Sequence, residues 1–244
     1  MRIGILETGK VNAALSEEFG FYPAMIERLF APALPGARFH TVGVLDGERV
    51  RDPEAADAWI VTGSKFGVYD PEPWIAPLEA SLREIRDAGR PIVGICFGHQ
   101  ILAQAFGGRA EKSERGWGVG VHDYRLVRRP GWMEALPEAP AFHAMHQDQV
   151  TAIPTDASVL AESAFTPYAA LAYGDPERPD AISIQPHPEF EAPFARALVE
   201  LRSGVAVPED RAQTARQSFG RPVANAAYAT AVAGYLGLFA RAAA

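Results

Sequence analysis

The stretch Pro91-Ile92-Val93-Gly94-Ile95-Cys96-Phe97-Gly98-His99-Gln100 reads as a strand, a sharp turn and the start of a helix. Residues 91–95 are a short apolar run of the kind a fully buried parallel strand needs. Beyond Phe97, the apolar residues Ile101, Leu102, Ala105 and Phe106 mark a buried helix face. Cys96 thus stands at the turn, with a glycine two positions away on each side. A sharp turn around a nucleophile demands those glycines, because a Cβ on either flank would collide with the neighbouring chain. The turn also sets the thiol at a helix N-terminus, where partial positive charge favours the thiolate. The next backbone N–H, on Phe97, can point at a developing oxyanion.

Upstream of this turn, strands and helices alternate. Arg2–Glu7 and residues 38–45 and 58–62 read as strands, and residues 16–31 and 73–88 as helices with one apolar face. The alternation predicts an α/β fold, an open and mostly parallel sheet with helices on both faces. After Gly107-Gly108 the pattern changes to short strand-like runs at 119–127, 141–145, 158–162, 169–173 and 181–185. Some of these are expected to pair as antiparallel strands at one sheet edge. Residues 191–202 and 226–241 read as helices, and the polar stretch 203–222 between them as a linker. The expected organisation is one domain over residues 1–202, with 203–244 a C-terminal helical extension packed on it.

The 244 residues are 48% hydrophobic and 22% charged, an ordinary globular composition, and the net charge of -7 argues against a nucleic-acid partner. Cys96 is the single cysteine, which excludes an intramolecular disulfide and a cysteine-based zinc cluster. The first residues lack the long apolar region of a secretory signal. Residues 222–240 are uncharged but interrupted by Asn225, Thr230, Gly234 and Gly237, unlike a membrane span. These features predict a soluble, cytoplasmic protein without membrane contact. Neither a phosphate-binding loop nor a dinucleotide fingerprint occurs. His143 and His146 are three apart with no glutamate at helical spacing, so they read as structural or substrate-loop residues, and no metal or other cofactor is expected. Trp117, between Gly116 and Gly118, fits a pocket mouth or a core position equally well.

A cysteine nucleophile needs a base and a group to orient it. Among the six histidines, His187 stands out in Gln185-Pro186-His187-Pro188-Glu189, directly after the strand-like run 181–185. The two prolines hold the backbone extended, so His187 and Glu189, two apart, point to the same side. The carboxylate can then orient the imidazole and stabilise its charged form. His99, inside the helix that follows Cys96, reads as a structural hydrogen-bonding group.

With these motifs the chain resembles the class I, triad-type glutamine amidotransferases, and in particular stand-alone members similar to the glutaminase domain of GMP synthetase. The resemblance covers roughly residues 1–202. It implies a flavodoxin-like open sheet, Cys96 as nucleophile, His187 as general base and then acid, and Glu189 as the orienting group. It further implies an oxyanion hole from Gly63 and Phe97, and substrate contacts from Gln100, Met145, His146, Gln147 and Asp148. Gln147 stands where the family often has glycine, and a side chain there narrows or reshapes the pocket. The implied activity is hydrolysis of the γ-amide of glutamine through a γ-glutamyl-cysteine thioester, with release of ammonia. The alternatives are a stand-alone hydrolase of γ-glutamyl amides or peptides and a non-catalytic binding module. The expected partners are the small-molecule substrate and, in the first case, a separate synthetase subunit.

Overall fold

An apolar run buried on both sides needs covering layers above and below it, and the chain supplies them. The computed structural model describes residues 1–240. In chain order its strands are β1 (Arg2–Glu7), β2 (Arg38–Gly43), β3 (Ala58–Val61), β4 (Ile92–Ile95), β5 (Arg109–Lys112), β6 (Gly118–Asp123), β7 (Arg125–Leu126), β8 (Ala141–His146), β9 (Asp148–Ala152), β10 (Ala157–Glu162), β11 (Ala170–Tyr173) and β12 (Ala181–Ile184). The helices are α1 (Ala13–Phe19), α2 (Tyr22–Phe30), α3 (Ile75–Asp87), α4 (Phe97–Ala105), α5 (Ala192–Arg202), α6 (Glu209–Ser218) and α7 (Asn225–Ala240). Eight strands form one sheet in the order β2-β1-β3-β4-β12-β11-β10-β7. The strands from β2 to β12 in that order are parallel, and β11, β10 and β7 extend the sheet antiparallel. Two small antiparallel pairs, β5 with β9 and β6 with β8, stand apart from it.

Strand side chains alternate between faces, and each face has its own helices. Ile3, Ile5, Ile60, Val93 and Ile95 meet Ile26 and Phe30 of α2 and Tyr228, Val232 and Tyr235 of α7. Leu6, Trp59, Val61 and Ile92 meet Leu78 and Leu82 of α3 and Ile101 and Leu102 of α4. Each such buried side chain contributes about 1.5–3 kcal/mol relative to exposure. A third apolar cluster joins Phe194 and Leu198 of α5 to Val119 and Val121 of β6 and to Ala212 and Ala215 of α6. No helix among the described residues is long and apolar enough to cross a membrane.

The structure departs from the sequence reading in several places. The helix expected over 16–31 is two helices, α1 and α2, broken at Gly20, whose φ is 78°. Pro23 lies in the first turn of α2; in one continuous helix its ring would collide with the carbonyl of Phe19. The run 119–127 divides into β6 and β7, which pair with different strands, β8 and β10. Residues 109–112, to which the sequence reading assigned no element, form β5, whose Ala110 is buried while its neighbours stay exposed. Residues 203–222, expected as a linker, contain α6, which buries Ala212 and Ala215. Of the helix expected over 226–241, Arg241 lies outside the described residues, as do 242–244 of the C-terminal extension.

Candidate functional site

Cys96 joins β4 to α4 with φ 54° and ψ -101°, and it alone among the described non-glycine residues has a positive φ. Backbone conformations of this kind cost about 1–3 kcal/mol and persist only where the surroundings impose them. Here they do. A Cβ on Gly94 would lie 2.4 Å from the carbonyl oxygen of Gly98, and one on Gly98 would lie 2.4 Å from that of Val61. Both positions therefore accept only glycine, as the sharp turn at Cys96 requires. The thiol is buried, and Phe97 opens α4, so its N–H belongs to the first turn that a helix leaves unpaired.

His187 follows β12, the strand beside β4. Its backbone N–H donates to the carbonyl of His143 at 2.8 Å. Its Nδ1 donates to Glu189 Oε1 at 2.7 Å, as it must, since a carboxylate only accepts. The Cys96 thiol lies close enough to the imidazole to act on its charge. The ring of Phe190 stacks on the imidazole with centroids 4.0 Å apart and planes 7° from parallel. Burial disfavours the imidazolium, but the charges of Cys96 and Glu189 outweigh it and raise His187 to about 10. Gly63 completes the group: a Cβ there would lie 2.9 Å from His187 Cε1 and 3.7 Å from Cys96 Cβ. Its loop is braced by the end of β1, where Thr8 Oγ1 donates to the carbonyl of Thr62 at 2.9 Å.

Cys96 and His187 open onto a cleft of about 480 Å³. Gln100, Met145, His146, Gln147 and Asp148 all line it, so these sequence-predicted residues come together. Gln100 Nε2 donates to the carbonyl of Asp148 at 3.0 Å and to Gln185 Oε1 at 3.2 Å. His146 Nδ1 meets the same carbonyl of Asp148 at 3.1 Å. Gly63 and Phe97 are buried and do not line the cleft, and the Phe97 ring packs against Trp74.

The other histidines have different surroundings. Burial lowers His146 and His99 to about 3 and His143 to about 4, so all three are neutral at pH 7. His99 is tied to Ser183 Oγ at 2.8 Å. His143 and His146, three apart on one strand, project to opposite faces. Among the described residues no group of three or more His, Cys, Asp or Glu is placed to hold a metal ion.

Sequence reasoning did not select Tyr69, whose hydroxyl donates to Asp148 Oδ2 at 2.9 Å, nor Tyr22, Lys112 and Arg202, which also line the cleft. They come from separate elements and carry no local motif. Trp117 does line the cleft, and at the same time packs against the third apolar cluster.

The comparisons with known proteins agree with this architecture. Gamma-glutamyl peptidase 5 of Arabidopsis thaliana is 30% identical over 172 residues, 68% of this chain and 67% of that protein. One subunit of the GMP synthase (glutamine-hydrolyzing) of Methanospirillum hungatei is 31% identical over 106 residues, 43% of this chain and 54% of that protein. The crystal structure of a glutamine amidotransferase from Thermotoga maritima shares the fold, with a TM-score of 0.74, 20% identity, and coverage of 96% of this chain and 98% of that one. Residues 50–197, more than half of the chain, match the family described as glutamine amidotransferase class-I. The chain belongs to the class I glutamine amidotransferase family.

Proposed function

We propose that the protein hydrolyses the γ-amide of γ-glutamyl compounds, glutamine among them, with Cys96, His187 and Glu189 as its catalytic triad. The observation that carries this reading is a buried thiol beside an imidazole that a buried carboxylate orients at 2.7 Å. The Cys96 thiolate attacks the γ-carbonyl carbon, and the N–H groups of Gly63 and Phe97 receive the oxyanion. The His187 imidazolium gives its proton to the departing nitrogen as the C–N bond breaks, leaving a γ-glutamyl thioester. The now neutral His187 takes a proton from water, whose oxygen attacks the thioester. The C–S bond breaks, glutamate leaves, and the thiolate–imidazolium pair is restored. Glu189 holds the ring in the tautomer both steps need. Gln100 and the 145–148 loop hold the amino-acid end of the substrate.

Similarity to gamma-glutamyl peptidase 5 supports action on γ-glutamyl peptides. Similarity to the GMP synthase of Methanospirillum hungatei favours a second reading, a glutaminase that passes ammonia to a separate synthetase subunit docked near the cleft. A co-purification search for such a subunit, run beside a panel of glutamine and γ-glutamyl amides, separates the two. The test of the shared chemistry is mass spectrometry after incubation with a diazoketone glutamine analogue. Cys96 is expected to gain the adduct, and Cys96→Ala to lose both adduct and turnover. Normal amide hydrolysis by Cys96→Ala would sink the mechanism.

A further inference from the structure

In the proposed chemistry the leaving nitrogen faces His187, the group that protonates it. Whatever that nitrogen carries must therefore lie along the imidazole's side of the cleft. That side is aromatic. Phe190 stacks on the imidazole, and Tyr22 lies over Phe190 in turn, with centroids 6.1 Å apart and planes 17° from parallel. Trp117 and Leu198 continue the same apolar cluster, and all four residues line the cleft. Arg202 sets its guanidinium over the Trp117 indole, 5.9 Å from the ring centroid, which helps hold the ring in place. Other lining residues are polar: Gln100, Asp148 and Tyr69 form one hydrogen-bonded group. Ammonia, the leaving group of glutamine, has no apolar surface to set against such a wall.

We infer that Tyr22, Phe190, Trp117 and Leu198 form a leaving-group subsite, and that the preferred substrates are γ-glutamyl amides whose amine bears an aromatic or large aliphatic side chain. The inference rests on the γ-glutamyl hydrolysis proposed above and adds its substrate class. An apolar subsite of this kind discriminates by filling space and excluding water, which separates a large side chain from a methyl group by about tenfold or more.

The experiment measures kcat/KM for glutamate release by the full-length protein from γ-glutamyl-phenylalanine, γ-glutamyl-alanine and glutamine. The phenylalanine compound is expected to exceed the alanine compound by about tenfold or more, and Trp117→Ala to bring that ratio toward one. The wild-type ratio decides the matter even if Trp117→Ala does not fold. Hydrolysis of glutamine and γ-glutamyl-alanine with no advantage for phenylalanine overturns the subsite and leaves γ-glutamyl hydrolysis standing. A ratio that folded Trp117→Ala leaves intact also overturns it. Hydrolysis of none of the three, with Cys96 unlabelled by the glutamine analogue, overturns both.

Discussion

Replacing Gly63 by alanine probes the site at its tightest contact. The added Cβ would lie 2.9 Å from His187 Cε1. Carbon atoms settle about 3.5–4.0 Å apart, so the ring or the loop must move by roughly 0.5 Å or more. The ring has little freedom. Phe190 covers one face at 4.0 Å, Nδ1 is tied to Glu189 at 2.7 Å, and the backbone N–H is tied to His143 at 2.8 Å. Either the imidazole is driven off the sulfur or the Gly63 loop retreats with its N–H. A misplacement of about 1 Å can cost about 10²-fold in rate, so a shift of roughly half that predicts a loss of about tenfold or more in kcat/KM. Overpacking of this kind costs about 1–3 kcal/mol, and each kcal/mol lowers Tm by about 2–4 °C at this chain length. Gly63 is not in the left-handed region, so alanine adds a steric conflict and no backbone strain. Glutamate release and thermal unfolding, measured on the same preparation, separate the two effects. Wild-type kcat/KM in a folded Gly63→Ala protein would show that Gly63 does not pack between Cys96 and His187 in the way the proposed chemistry needs.

Two further outcomes follow from other contacts. With His187 raised to about 10 by Cys96 and Glu189 against the opposing effect of burial, the imidazolium persists through neutral pH. The alkaline fall of kcat/KM is therefore expected near pH 10, and Glu189→Gln, which removes an anion favouring the charged ring, should move it to lower pH. The same linkage acts on stability: the contribution of His187 is fully present below its ordinary value near 6.5 and is lost as pH rises toward about 10. Urea unfolding of the wild type and Glu189→Gln across this window checks the sign, and an equal pH dependence in the two proteins contradicts the pairing. Gly120, at φ 89°, would place a Cβ 2.6 Å from Ser218 Oγ and 2.8 Å from Ala215 Cα. Gly120→Ala should cost about 2–4 kcal/mol through strain and overpacking and loosen α6, seen as a lower Tm and faster proteolysis of 203–222; an unchanged Tm would argue against that packing.

What could be read from the sequence is what sterics leave no choice about. Gly94 and Gly98 are conspicuous because each sits where a Cβ would strike backbone oxygen. His187 and Glu189 are conspicuous because prolines fix their extended spacing, and the two side chains do meet. Elements held by small residues gave no such sign. Helix α6 touches β6 through Ala212, Ala215 and Gly120, and alanine and glycine carry no apolar periodicity. The break between α1 and α2 was masked for a different reason. Phe19, Tyr22, Met25 and Ile26 keep helical spacing across it, although Gly20 and Pro23 are both breakers. Strand β5 buries only Ala110, too little for a pattern. The Tyr69–Asp148 contact joins residues far apart in the chain, and nothing local announces it.

The deeper regularity is that three neighbouring parallel strands deliver the site from their carboxyl ends. Val61 of β3 pairs in register with Gly94 of β4, and Ile95 of β4 with Ile184 of β12. Gly63, Cys96 and His187 follow these pairs by two, one and three residues respectively, so one register sets all three heights. The Cys96 N–H donates to the carbonyl of Ile184 at 2.9 Å, which means that the strand holding the strained Cys96 in place is the strand that presents His187. Sulfur and imidazole are thus coupled through the central hydrogen bonds of the sheet rather than through mobile loops. This is why a crevice at the carboxyl ends of an open parallel sheet suits such chemistry. Side chains from distant parts of the sequence keep sub-ångström relations when rigid, buried strands carry them.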